Sequence, residues 1–168
     1  MRQRGREGFR EFAEGRTGQL YRSACLLTSG DTHLAEDLVQ ETLGRMYLLW
    51  GRASRIDNPA AYAQTVLVRA FLTHRRRRSA AERPVGEVPD AAARGGDPAL
   101  RMTLLEALGQ LGPKDRAVLV LRYWEDRSVE ETADVMNVSS SAVRTRSSRA
   151  LARLREQLGG SLTELAAR

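Results

Sequence analysis

The 168 residues suffice for one larger domain or two small ones, and 42% apolar content with only 5% aromatics rests any core on Leu, Val, Ala and Met, a palette suited to packed helices. Twenty-seven basic against 21 acidic residues leave a formal net charge of +6, which points to a polyanionic partner. One cysteine, Cys25, and two histidines, His33 and His74, exclude an internal disulfide and a Cys/His zinc site; with no apolar run of roughly 18 residues and no apolar N-terminal stretch, the expected location is cytoplasmic, without membrane insertion.

From residue 9 to 28, Phe9, Phe12, Ala13, Leu20, Ala24 and Leu27 recur at mostly helical spacings. Gly15 and Gly18 interrupt them, so one or two short helices are predicted. Asp31 or Thr32 caps the next helix, in which Leu34, Ala35, Leu38, Val39, Thr42, Met46, Leu49 and Trp50 occupy about half of the wheel. Asp37, Gln40, Glu41 and Arg45 lie opposite. Gly51 to Asp57 reads as a loop, and Asn58-Pro59 opens a long helix with Tyr62, Val66, Leu67, Ala70 and Phe71 on its apolar side. That helix runs through His74 into Arg75, Arg76, Arg77 and Arg78. Between Ser79 and Pro98 prolines and glycines replace apolar periodicity, which marks a linker.

Beyond the linker, Leu100, Leu104, Leu105 and Leu108 mark a helix, Leu111-Gly112-Pro113 a turn, and Pro113 the start of a helix carrying Val118, Leu119 and Leu121. Ser128-Val129-Glu130-Glu131 has the capping-box pattern. The short helix it opens ends near Met136-Asn137, where Asn tolerates a left-handed turn. A last helix spans about Ser139 to Leu158, with Val143, Ala150, Leu151, Leu154 and Leu158 along one side. The predicted fold class is therefore all-α: two small helical domains, residues 1–80 and 99–168, joined by a linker at 81–98.

Ser128 to Leu158 has helix-turn-helix spacing: small Ala133 for close approach, Asn137 at the turn and Val143 packing the second helix inward. Arg144, Arg146, Arg149, Arg153 and Arg155 project from a helix with no acid between Ser139 and Arg155. Ser139, Ser140, Ser141 and Thr145 near its start suit phosphates or base edges, and its first turns are expected in the major groove. Arg144 and Arg149 lead as base readers, since arginine on a guanine edge is the commonest specific contact, although phosphate contact fits any single arginine equally well. The stretch Arg69 to Arg83 holds six arginines against one Glu and forms a track for a DNA backbone; a terminal arginine cluster also complements the helix dipole, worth only about 0.3–1 kcal/mol. Asp31 to Trp50, by contrast, carries four acids against Arg45 alone, a protein-facing surface or simply a solvated helix side.

At this point the residues resemble a known family. Ala35-Glu36-Asp37-Leu38-Val39-Gln40-Glu41-Thr42-Leu43 is similar to region 2.2 of extracytoplasmic-function sigma factors; residues 111–126 resemble region 4.1 and Ser128 to Arg155 region 4.2. The resemblance is nearest to compact actinobacterial members. It implies an RNA polymerase core partner, with Asp37, Gln40 and Glu41 on the clamp helices of the largest subunit and further contact at the flap. It also implies promoter DNA: Arg69, Thr73, His74, Arg75, Arg76, Arg77 and Arg78 at the minus-ten element, and Ser141, Arg144, Thr145, Ser148 and Arg149 at the minus-thirty-five element. An anti-sigma partner is common in the family and leaves no mark in this sequence. A stand-alone helix-turn-helix regulator with an N-terminal dimerisation or sensing domain, and a small helical enzyme with a basic surface, remain as alternatives. No Gly-rich phosphate loop, nucleophile with a base, or metal cluster is visible, so no catalytic residue, metal or cofactor is expected.

Overall fold

The computed structural model describes residues 3–79 and 98–159, so the predicted linker falls almost wholly outside the described residues. The described residues form α-helices and connecting turns: α1 (Gln3–Leu27), α2 (Thr32–Ala53), α3 (Pro59–Ser79), α4 (Pro98–Gly109), α5 (Pro113–Leu119), α6 (Val129–Met136) and α7 (Ser140–Leu158). A π-turn, Val120–Trp124, extends α5.

α1 is one continuous helix, not the one or two short helices expected from its glycines. Glycine costs an exposed helix only about 1 kcal/mol relative to Ala, and both ends of α1 are held by packing. Near its start Phe9 packs edge-on and Phe12 at a tilt against Trp50 of α2, with ring centroids 5.6 and 4.9 Å away. Toward its end Leu20, Ala24 and Leu27 are buried in the core. Tertiary burial of this kind, more than propensity, holds helices in proteins.

The polar starts of the helices behave as their residue types dictate. Asp31 accepts from the Leu34 amide at 3.1 Å, and Asn58 accepts from the Ala61 amide at 3.0 Å ahead of Pro59. Two expectations are corrected in α2, one about where it ends and one about its apolar face. Gly51 and Arg52 continue the helix because Ala53, its last residue, is buried, and Leu49 sits outside the core at 39% exposure.

In the second half Pro113 takes the first position of α5 and Gly112 precedes it in extended conformation. The capping box forms in full: the Glu131 amide donates to Ser128 Oγ at 3.0 Å and the Ser128 amide donates to Glu131 Oε2 at 2.8 Å. Asn137, at φ 54° and ψ 50°, turns the chain from α6 into α7, and Ser139 caps α7 by accepting from the Ala142 amide. Only glycine adopts this left-handed region without penalty. Asn137→Ala should therefore cost about 1 kcal/mol in denaturant unfolding while Asn137→Gly costs less; equal losses from both would show that the Asn side chain, and not the backbone, matters.

The two helical units pack on one another. Leu27, Leu67 and Phe71 from the first half share a core with Val118, Leu121, Val135 and Met136 from the second. A separate cluster of Leu108, Leu111, Leu119, Ala150, Leu154 and Leu158 seats α7 against α4 and α5. Gly109 at the end of α4 comes so close to the α1–α2 turn that a Cβ there would lie 2.8 Å from Ser29 Oγ.

Candidate nucleic-acid interface

Burial divides α7 into two faces. Val143, Ser147, Ala150, Leu154 and Leu158 are buried, whereas Ser141, Arg144, Thr145, Ser148 and Arg149 are all exposed. The latter fall at steps of three and four residues, so they share one solvent-facing stripe starting in the first turn. The arginines of α7 are not equivalent. Arg146 forms a half-buried ion pair with Asp115 of α5 at 3.0 Å and so serves to seat the helix, although the sequence suggested that it projects outward. Arg153 donates to the Gln110 carbonyl at 3.4 Å. Arg144 lies 3.6 Å from Glu130, an exposed pair worth little in itself that keeps the guanidinium beside the start of α6.

On α3, Arg76 and Arg77 are exposed, Thr73, His74, Arg75 and Arg78 are half-buried, and Nε2 of His74 is buried without a hydrogen-bond partner among the described residues. Arg69 is engaged. Its Nε donates to the Val135 carbonyl at 3.1 Å and its Nη2 to the Asp134 carbonyl at 3.3 Å, both in the last turn of α6. These carbonyls belong to the negative end of a helix, a natural place for a cation. α2 exposes Asp37, Gln40 and Glu41, the last paired with Arg45. On the same helix Leu48 is 81% exposed, and Tyr47 and Leu49 are exposed beside it.

Three charged residues that the sequence did not single out lie where the halves meet. Arg116 is buried, donating to the carbonyls of Leu27 at 2.8 Å and Leu111 at 3.2 Å, with its guanidinium carbon 5.9 Å from the centre of the Phe71 ring. Burial, reinforced by nearby Arg75, lowers its pKa to about 10. Arg127 donates to the Ala61 carbonyl at 2.7 Å and to Thr65 Oγ1 at 3.0 Å. Glu125 is buried beside Arg127 at 3.5 Å, near Ser23 of α1. Burial raises the Glu125 pKa, and Arg127 and Ser23 only partly offset the rise.

The sign of that shift fixes a pH effect. A carboxyl whose folded pKa is raised favours the folded state while protonated, and that contribution is lost as pH rises through the folded value. Glu125→Gln should accordingly melt higher than the parent at pH 7.5, by about 2–4 °C for each kcal/mol recovered, with the gap closing toward pH 4.5. A constant gap across that range in thermal denaturation would contradict the assignment.

Two family models match these same segments: Sigma-70 region 2 over residues 15–81 and Sigma-70, region 4 over residues 107–156. The chain is 38% identical over 152 residues to an RNA polymerase sigma-E factor of Streptomyces avermitilis, spanning 89% of this chain and 84% of that one. The chain belongs to the extracytoplasmic-function sigma factors. It directs transcription initiation by RNA polymerase, and the stand-alone regulator is not favoured. Sigma factors are regulatory, non-catalytic proteins. The RNA polymerase sigma factor CarQ of Myxococcus xanthus is 36% identical over 138 residues, covering 79% of each chain. Among solved structures, the sigma factor RpoE of Bartonella quintana, crystallised with the anti-sigma factor NepR, matches this sigma factor with a TM-score of 0.76 at 25% identity, over 90% of this chain and 97% of that one. No helix among the described residues of this sigma factor is long and apolar enough to cross a membrane.

Proposed function

We propose that the sigma factor divides its two contacts between its halves, residues 1–80 and 99–168, with 81–98 as a tether that raises the effective concentration of the second contact once the first is made. The stripe Ser141, Arg144, Thr145, Ser148 and Arg149 reads the minus-thirty-five element, and its exposure on one face of α7 is the observation that carries the reading. Arg69, Thr73, His74 and Arg75 to Arg78 on α3 hold the minus-ten element, mostly through the DNA backbone.

Asp37, Gln40 and Glu41 on α2 bind the clamp helices of core polymerase, and region 4 meets the flap. The exposed Leu48 supports a protein-facing role for α2. It lies two turns beyond Glu41 on the same ridge, and an apolar side chain rimmed by charge suits a protein interface better than a merely solvated helix. The sigma factor acts in the cytoplasm and performs no chemistry of its own, polymerase supplying the catalysis. An anti-sigma factor is a further partner, on the strength of the likeness to the complexed Bartonella quintana protein.

In vitro transcription with core enzyme across candidate promoters from the source genome tests the whole reading. Initiation no better with the sigma factor than without it would overturn the reading. Glu41→Lys, which reverses one exposed charge and leaves the core of α2 untouched, should reduce capture of core polymerase about tenfold with unchanged thermal stability. Undiminished capture would remove α2 from the contact.

A further inference from the structure

We infer that Glu130 of α6 is a positioning residue for promoter reading: its carboxylate holds the Arg144 guanidinium aimed at one base pair of the minus-thirty-five element and so sets the stringency at that position. The inference rests on the proposed base-reading role of Arg144. Glu130 stands in the first turn of α6 and meets Nη2 of Arg144, in the second turn of α7, at 3.6 Å. Both side chains are mostly exposed, so the pair adds little to the packing of the two helices. In this it differs from the half-buried pair of Asp115 and Arg146, which seats α7 on α5.

Local devices fix the backbones that carry the pair. The capping box of Ser128 and Glu131 sets where α6 begins, and it commits the Glu131 carboxylate to the Ser128 amide. The left-handed Asn137 and the Ser139 cap set where α7 begins, and Ala133 and Val143 are buried on the two helices. Glu130 is thus presented to Arg144 at a fixed place. A long arginine side chain otherwise samples many rotamers, whereas a base edge accepts the planar fork in one orientation. An exposed ion pair biases such a side chain by about two- to fivefold. That bias is too small to register in unfolding, yet it multiplies directly into recognition. The pair engages one nitrogen of a five-donor fork, so donors remain for a guanine edge.

Charge alone gives Glu130 no reason to stand there. α7 has no acid between Ser139 and Arg155, and a carboxylate beside that surface repels the phosphates of every sequence alike. What it supplies is contrast between templates, at the expense of affinity for all of them. Arg149, the other proposed base reader, forms no ion pair among the described residues and serves as an internal control.

The test uses holoenzyme assembled from core polymerase and the full chain, initiating from a promoter library randomised across the minus-thirty-five element. Glu130→Ala should reduce base preference about two- to fivefold at the one position that Arg144→Ala flattens, and leave the position that depends on Arg149 unchanged. Glu130→Gln, which keeps the length of the side chain and a carbonyl acceptor, should flatten the same position to a lesser degree and covers the case in which Glu130→Ala loosens the start of α6. With Arg144→Ala already present, Glu130→Ala should change no preference further.

A uniform rise in output with every preference kept is what a bare charge near the DNA backbone produces, and it overturns the positioning role. So does an effect of Glu130→Ala that is equal with and without Arg144. If Arg144→Ala flattens one position and both Glu130 variants leave it sharp, the inference alone fails. If Arg144→Ala flattens no position, the base-reading role of Arg144 fails and the inference falls with it.

Discussion

Phe71→Ala is expected to destabilise the chain by about 3–5 kcal/mol, the range for truncating a buried Phe in a close-packed core. The ring is fully buried in the apolar core that both halves share, and it has the Arg116 guanidinium near its face. Truncation leaves a cavity and strips the buried charge of its aromatic neighbour, so relaxation on one side cannot repair the other. For a chain of this size the melting temperature should fall by on the order of 10 °C. Phe71→Leu, which retains most of the volume, should cost less than about 1.5 kcal/mol. A loss below about 1 kcal/mol for the alanine variant, measured by denaturant unfolding, would mean that Phe71 does not join the halves.

The second large effect concerns α7. Arg144→Ala and Arg149→Ala should each remove about 1–3 kcal/mol of discrimination at a different base pair of the minus-thirty-five element. Combined, they should lower initiation from a cognate promoter by about 10² or more relative to a promoter altered at those positions. The structure gives a reason to separate these arginines from their neighbours. Arg146 is tied to Asp115 and Arg153 to the Gln110 carbonyl, so substitutions there should act through the seating of α7 or the phosphate field and should not change base preference. Transcription from a library randomised across the minus-thirty-five element reads out the difference. If Arg144→Ala and Arg149→Ala lowered output evenly on all templates, both would be phosphate contacts.

What the sequence displayed was local chemistry. Asp31, Asn58, Ser128, Asn137 and Pro113 each act within three or four residues of themselves, and each is found in the turn or cap its type predicts. The apolar stripes of α2, α3 and α7 were equally legible, because burial follows helical period. The exposed stripe on α7 follows from the same period, since every residue of it lies off the apolar side. What stayed hidden depends on distant partners. The continuity of α1 through Gly15 and Gly18 needs Trp50 some forty positions away, and the π-turn after α5 shows no residue signature. The roles of Arg116 and Arg127 were unreadable because their acceptors are backbone carbonyls, at Leu27 and Ala61, that no side-chain pattern advertises. Arg69 illustrates both cases, basic and on the expected helix, yet occupied by α6.

The widened turn at Val120–Trp124 leaves Tyr123 and Trp124 facing solvent, while the other tryptophan of the chain, Trp50, is only 8% exposed among Phe9 and Phe12. Intrinsic emission thus comes from two indoles in opposite settings, one per half. An aqueous quencher such as iodide reaches Trp124 and spares Trp50, so a spectrum taken with and without it separates a signal from each half of the unmodified polypeptide. Polymerase or DNA arriving at one half can then be followed optically with no dye attached.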